Sequence, residues 1–278
     1  MVVSVSEIQR AVEIYRTSTS NILGSGHFGT AHYIATPEGP AVLKILRTKP
    51  RKGMDENEEA VAILANLKTL KPLLPPSFVP LLHIPQTGAW YVRGYAPGET
   101  VSKQLPELTR HQKQEISHAY GAMLKQAHAN DIIIGSTGWD DFVWDGKNGK
   151  LVDYENTATI TDAQIPWHIS RTVNAAYAAR EQLLANARVP LSTVPAITPR
   201  VDVESFALLL DHLYNGTKLR ETRSAIGWAQ EAAKKNLLQH PVERLEALPP
   251  KLREPVNALC SYPRNEKVTL DELLTSLQ

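Results

Sequence analysis

The chain has 278 residues, 42% of them hydrophobic and 21% charged, which is enough to bury a large core and too apolar for wholesale disorder. A formal net charge of +1 gives no electrostatic reason to expect nucleic acid or an anionic membrane as partner. One cysteine, Cys260, excludes an intramolecular disulfide framework and a multi-cysteine zinc site. It sits among apolar neighbours and reads as a core residue of a protein from a reducing compartment. No apolar run approaches the roughly 20 residues of a membrane helix, and the start lacks the basic and apolar regions of a secretory signal. A soluble, cytoplasmic protein without a membrane span is the expectation.

In chain order, Ile8, Val12 and Tyr15 fall at helical spacing within 6–15, with Ser6 available as a cap. A glycine-rich turn, Gly24 to Gly29, is followed by β-like runs over 31–35 and 41–46, which predict a hairpin and a third strand. A helix is expected over 56–70 with Val61, Leu64 and Leu67 on one face, then strands over 79–84 and 89–95. The composition changes after Ala96-Pro97-Gly98. Beyond it, 110–130 predicts a helix with a stripe of Ile116, Tyr120, Met123, Leu124 and Ala127. A β-rich interval, 142–153, is broken by a turn at Asp145 to Gly149, and the rest is mostly helical, with 203–213 its most apolar helix. The Pro-bearing stretch 189–200 reads as a surface loop, and there is no internal repeat. The order is thus a small strand-rich half with one helix, then a larger helical half.

Several constellations carry chemistry. Gly24-Ser25-Gly26-His27-Phe28-Gly29-Thr30-Ala31 matches G-x-G-x-x-G with a small apolar residue two places on. Glycines there let a tight turn bring backbone N–H groups close to phosphate oxygens. Dinucleotide-binding folds use the same pattern but follow it directly with a helix, whereas here a strand is predicted. Lys44 ends the apolar run Ala41-Val42-Leu43, fifteen positions after Gly29. A lysine in that setting holds phosphates as a point charge and needs an acidic partner. Glu59 is the candidate, with Glu56 and Glu58 close by, although a register aligned on Ile63, Leu64 and Leu67 puts Ala60 there instead.

From His128, the line H-A-N-D-I-I-I-G-S-T-G-W-D-D-F-V runs without a gap along the pattern L-H-x-x-G-I-x-H-R-D-L-x-x-x-N-I-L. Leu151-Val152-Asp153-Tyr154-Glu155 follows where that pattern continues to D-F-G. The segment 177–183 is similar to Y-x-A-P-E-Q-L, and 202–207 to D-V-x-S-x-G. Residues 265–274 are similar to the ending x-x-R-P-T-x-x-E-L-L. From about Gly24 to Leu277 the chain therefore resembles a eukaryotic-type Ser/Thr protein kinase domain. Aminoglycoside-phosphotransferase-type kinases share the early motifs but lack the later ones.

The resemblance implies an α+β, bilobal protein-kinase-like fold, with a small β-rich N-lobe over 1–95, including the N-terminal helix, and a larger helical C-lobe over 96–278. It implies ATP held by Gly24, Gly26, Gly29, Ala31 and Lys44, with Tyr95 in the hinge and Arg93 at the gatekeeper position lining the back of the adenine pocket. It places Asp153 as the Mg²⁺ ligand, and Asp141 where an Asn holds the second metal; a carboxylate serves equally as a hard-oxygen ligand.

The sequence departs from the pattern where chemistry is done. Ser136 takes the place of the catalytic aspartate, a base whose work is worth on the order of 10²–10⁴-fold in rate. Asp140 would substitute only in a remodelled loop. Gly135 removes the arginine through which activation-loop phosphorylation is sensed, Glu155 replaces the hinge glycine of D-F-G, and Arg93 is charged where an apolar side chain is usual. The expectation is a pseudokinase-like protein that binds ATP and acts on a protein partner. One rival is an active, atypical Ser/Thr or small-molecule kinase that uses Asp140 or Asp141 with Asp153 and Mg²⁺. A second is a scaffold in which Arg93 and Glu155 block ATP.

Overall fold

The computed structural model describes residues 15, 21–26, 28–36, 38–47, 58–135, 137–160, 177–179, 181–182, 197–217, 245–260 and 267–278. The fold is mixed α+β, and the chain divides into two compact units, Met1–Ala96 and Pro97–Gln278. The helix expected over 6–15 lies outside the described residues except for Tyr15, as does most of the expected loop over 189–200.

The first unit is built on five strands: β1 (Ile22–Ser25), β2 (Gly29–Thr36), β3 (Gly39–Leu46), β4 (Leu81–His83) and β5 (Trp90–Gly94). They form one antiparallel sheet in the order β1-β2-β3-β5-β4. Alternation along the strands separates two faces. One face carries Ile34, Ala41, Leu43, Trp90 and Val92 in a buried cluster, with Tyr15 and Ile45 packed against it. The other face carries Ala31, Val42, Lys44, Tyr91 and Arg93, since Ala31 pairs with Lys44, Lys44 with Tyr91, and Val42 with Arg93.

Helix α1 (Glu58–Leu70) packs against β5 and buries Ala60, Ile63, Leu64, Leu67 and Leu70. This corrects the expected face: Val61 is 62% exposed. The spacing 61-64-67 is helical, but 60-63-64-67 is equally so, and only the second offers a continuous stripe to the sheet.

The second unit opens with a two-residue strand, β6 (Glu99–Thr100), which runs into the short helix α2 (Val101–Gln104) and a 3₁₀ turn over Leu105–Glu107. Helix α3 (Arg110–Ala129) starts at a capping box. The Gln112 N–H donates to Thr109 Oγ1 at 3.3 Å, and the Thr109 N–H donates to Gln112 Oε1 at 2.9 Å. All five residues of its expected stripe are buried. Strands β7 (Ile132–Ile133) and β10 (Ala158–Thr159) pair with each other, while β8 (Phe142–Trp144) lies between β6 and β9 (Gly149–Leu151).

Helix α4 (Arg200–Asn215) is buried continuously from Val201 to Tyr214, so it has no solvent face and forms the centre of this unit. Tyr120 of α3 stacks on Phe206 of α4 at 5.4 Å between ring centroids and meets Trp139 and Phe142 edge-on at 5.3 and 5.2 Å. The Trp139 indole N–H donates to the Leu209 carbonyl at 3.0 Å, which satisfies its polar handle within the core. Helix α5 (Pro250–Cys260), which buries Cys260, packs on α4, and α6 (Leu270–Ser276) packs on α3 and α5. No helix among the described residues is long and apolar enough to cross a membrane.

Candidate functional site

In the first unit, the hairpin of β1 and β2 closes with the Gly26 N–H donating to the Gly29 carbonyl at 2.8 Å. The three glycines of the motif meet different surroundings. A Cβ on Gly29 would stand 2.0 Å from the Ile45 carbonyl oxygen, so close packing of β2 on β3 requires glycine there. At Gly24 and Gly26 a Cβ meets nothing within 4 Å, and neither residue has a positive φ. Neither packing nor a positive φ demands glycine at these two positions; close approach of the backbone to a ligand is one reason for it, and the irregular register between Ile22 and Gly24 is another.

The register carries Gly24, Ala31 and Lys44 across the sheet as successive partners. Lys44 is buried. Arg93 lies one register step beyond Lys44 on the same face, buried to 7% exposure, and the half-buried Tyr95 meets Tyr33 edge-on at 5.4 Å just past the end of β5. The expected ATP-binding residues of this unit thus gather at one hairpin end and on one sheet face. Glu59, the second residue of α1, is half-buried, and Ala60 beside it lies on the buried face.

In the second unit, residues 134–141 link β7 to β8, and α4 anchors the start of this loop. Asp202, buried in the first turn of α4, accepts hydrogen bonds from the N–H groups of Ile134 at 2.9 Å and Gly135 at 2.8 Å. His128 Nε2 lies 2.9 Å from the same carboxylate. A carboxylate in the first turn also faces the positive end of the helix dipole. Gly135 has φ +83°, and a Cβ there would meet the Asn156 carbonyl oxygen at 3.0 Å. Glycine is what this backbone takes; an arginine would be strained in the same conformation.

Ser136 lies outside the described residues. Thr137 shares a 2.5 Å hydrogen bond with the Tyr120 hydroxyl. Asp140 is exposed, whereas Asp141 is half-buried, with Oδ2 accepting from the Gly138 N–H at 2.8 Å. The Val152 N–H donates to the Asp141 carbonyl at 2.9 Å, extending the pairing of β8 with β9 by one step. Asp141 and Asp153 therefore come to the same end of this hairpin, with Asp153 half-buried and Glu155 buried. Among the described residues no group of three or more His, Cys, Asp or Glu side chains is placed to hold a metal ion. The donor chemistry of Asp141 and Asp153 still suits Mg²⁺, which takes one or two carboxylates and completes its shell with water and phosphate oxygens.

Residues 177–179 and 181–182 lie against α4, β7 and Gly135. The Tyr177 hydroxyl is 2.5 Å from His212 Nδ1 on α4. Burial pushes its ionisation well above the ordinary tyrosine range, and the negative charges of Asp140 and Asp141 push it further in the same direction. Ala179 packs with Ile133 and Val201, and its N–H donates to Gln182 Oε1 at 2.9 Å.

Sequence reasoning gave neither Asp202 nor His128 a role. The available signal was an aspartate at the start of the most apolar helix, where burial makes an unpaired carboxylate untenable. No protein-family model and no curated protein matches the chain.

Proposed function

We propose that this chain is a bilobal, protein-kinase-like protein of the degenerate, pseudokinase kind. It binds a nucleoside triphosphate and acts by binding or regulating a protein partner, with little or no phosphotransfer. Gly24, Gly26 and Lys44 would hold the phosphates, and Asp153 with Asp141 would hold Mg²⁺. When bound, that ion neutralises phosphate charge; the chain's own part is to position and to shield.

The observation that carries this reading is Asp202. The stretch at 134–135 resembles a kinase catalytic loop and the start of α4 resembles the central C-lobe helix. The two lie 67 residues apart, and Asp202 joins them directly. Two loose likenesses that meet in a specific buried hydrogen-bond pair support each other more than either does alone. The open Cβ positions at Gly24 and Gly26 support the nucleotide, and Ser136 at the base position argues against turnover.

Titration of the full-length protein with ATP and GTP, with and without Mg²⁺, while following the unfolding midpoint, tests binding; absence of any shift would remove the nucleotide from the proposal. Incubation with γ-labelled nucleotide and a generic protein substrate tests turnover. Wild type is expected at the background set by Lys44→Met. Transfer above that background, abolished by Asp141→Asn or Asp140→Ala, would establish an active kinase instead.

A further inference from the structure

Arg93 is buried on the sheet face that carries Lys44. It is 7% exposed; among the described residues its Nε has no hydrogen-bond partner, and its Nη1 reaches the carbonyl of the adjacent Gly94 at a long 3.4 Å. Among the described residues no carboxylate pairs with it. A guanidinium stays charged at any ordinary pH, so it cannot escape burial by losing a proton, and an uncompensated buried charge is strongly unfavourable. A side chain held in this state is poised for a ligand that supplies what the described residues do not. Since a guanidinium has five donors and no acceptor, that ligand must present acceptors, best as a planar pair.

The register indicates which part of a nucleotide would meet it. Leu46 pairs with Gly29 beside the glycine turn, Lys44 pairs with Ala31, and Arg93 pairs with Val42. From Leu46 to Val42 is four residues along β3, roughly 13 Å at about 3.3 Å per residue. With the phosphates at the glycine turn and Lys44, the base is the part that lies towards Arg93. The purine bases differ there. Adenine shows an amino donor at N6 beside N7, and that donor would oppose another donor. Guanine shows two acceptors, O6 and N7, to which arginine makes its commonest specific base contact.

We infer that Arg93 is a specificity-determining residue that reads the O6/N7 edge of a 6-oxopurine, so that the site takes guanine and hypoxanthine nucleotides in preference to adenine nucleotides. This rests on the nucleotide-binding reading proposed above.

Competition of GTP, ITP and ATP against a fluorescent nucleotide, on the full-length protein at fixed Mg²⁺, decides it. GTP and ITP are expected to compete at concentrations roughly tenfold or more below ATP. Arg93→Met, which keeps length and apolar bulk, should bring the three nucleotides together by weakening GTP and ITP without weakening ATP; Arg93→Lys, which keeps charge but loses the fork, should lose most of the preference. ATP binding as tightly as GTP and ITP to wild type would overturn the inference alone. So would GTP binding tightly while ITP behaves as ATP does, since that preference would belong to the N2 amino group. Failure of all three to bind would overturn the nucleotide reading and this inference with it. The wild-type comparison stands even if Arg93→Met does not fold.

Discussion

A Cβ at Gly29 would stand 2.0 Å from a backbone oxygen of β3, whereas at Gly24 or Gly26 it would meet open space. The three residues are indistinguishable in G-x-G-x-x-G, because spacing says nothing about what lies opposite each one. The structure separates their roles, and that yields a prediction. Gly29→Ala should destabilise the protein by about 1–3 kcal/mol, as overpacking does. Gly24→Ala and Gly26→Ala should be neutral or slightly stabilising, by up to about 1 kcal/mol, since alanine reduces the freedom of the unfolded chain. Their cost should appear instead as weakened nucleotide binding. Denaturant unfolding beside nucleotide titration measures both, and a large stability loss at Gly24 would contradict the separation. Arg93 makes the same point: its departure from the apolar norm was legible in the sequence, but its lack of a carboxylate partner among the described residues was not.

Elements were legible where periodicity was strong and illegible where the partner was distant. The stripe on α3 emerged as read, since five apolar positions over three turns leave one possible face. The face of α1 did not, because Val61 and Ala60 both continue a helical spacing and the sheet chose Ala60. The anchoring of the 134–135 loop by α4 is a tertiary contact that no local pattern announces. Removing it has a definite cost. Asp202→Ala leaves two buried N–H groups without an acceptor, each worth about 1–3 kcal/mol, so a loss of about 2–6 kcal/mol is expected. Asp202→Asn, which keeps one acceptor oxygen, should lie between. Amide exchange at Ile134 and Gly135 should accelerate in both variants; unchanged protection there would show that the loop is held by something else.

Strand β4 forms one edge of the sheet, beside β5. His83 stacks on Trp90 at 5.4 Å, and burial, followed by the positive charge of Lys71, holds its pKa below the ordinary value of 6.5. Folding therefore favours the neutral ring. Above the ordinary value both folded and unfolded chains carry it neutral, and its contribution is complete. As pH falls through that value the unfolded chain takes the proton first, and stability drops until the folded pKa is passed. Unfolding midpoints measured between about pH 8 and pH 5 should fall more steeply for wild type than for His83→Gln. Parallel curves would remove His83 as the cause.

At the scale of the molecule, the proposal assigns phosphate to Lys44 of the first compact unit and Mg²⁺ to Asp153 of the second. Binding to the folded state alone stabilises it by about 2.7 kcal/mol at a hundredfold excess over Kd, so each contribution is readable as a change in that shift. Lys44→Met removes the cation proposed to meet phosphate and should reduce the shift with or without Mg²⁺. Asp153→Asn removes charge from a hard-oxygen ligand and should reduce only the Mg²⁺-dependent part. Where Lys44→Met has removed the shift, adding Asp153→Asn should change nothing further, because Mg²⁺ is expected to arrive with the nucleotide. A Mg²⁺-dependent shift that persists in Lys44→Met and is lost on adding Asp153→Asn would mean that the two residues serve separate ligands, and their assignment to one nucleotide would have to be abandoned.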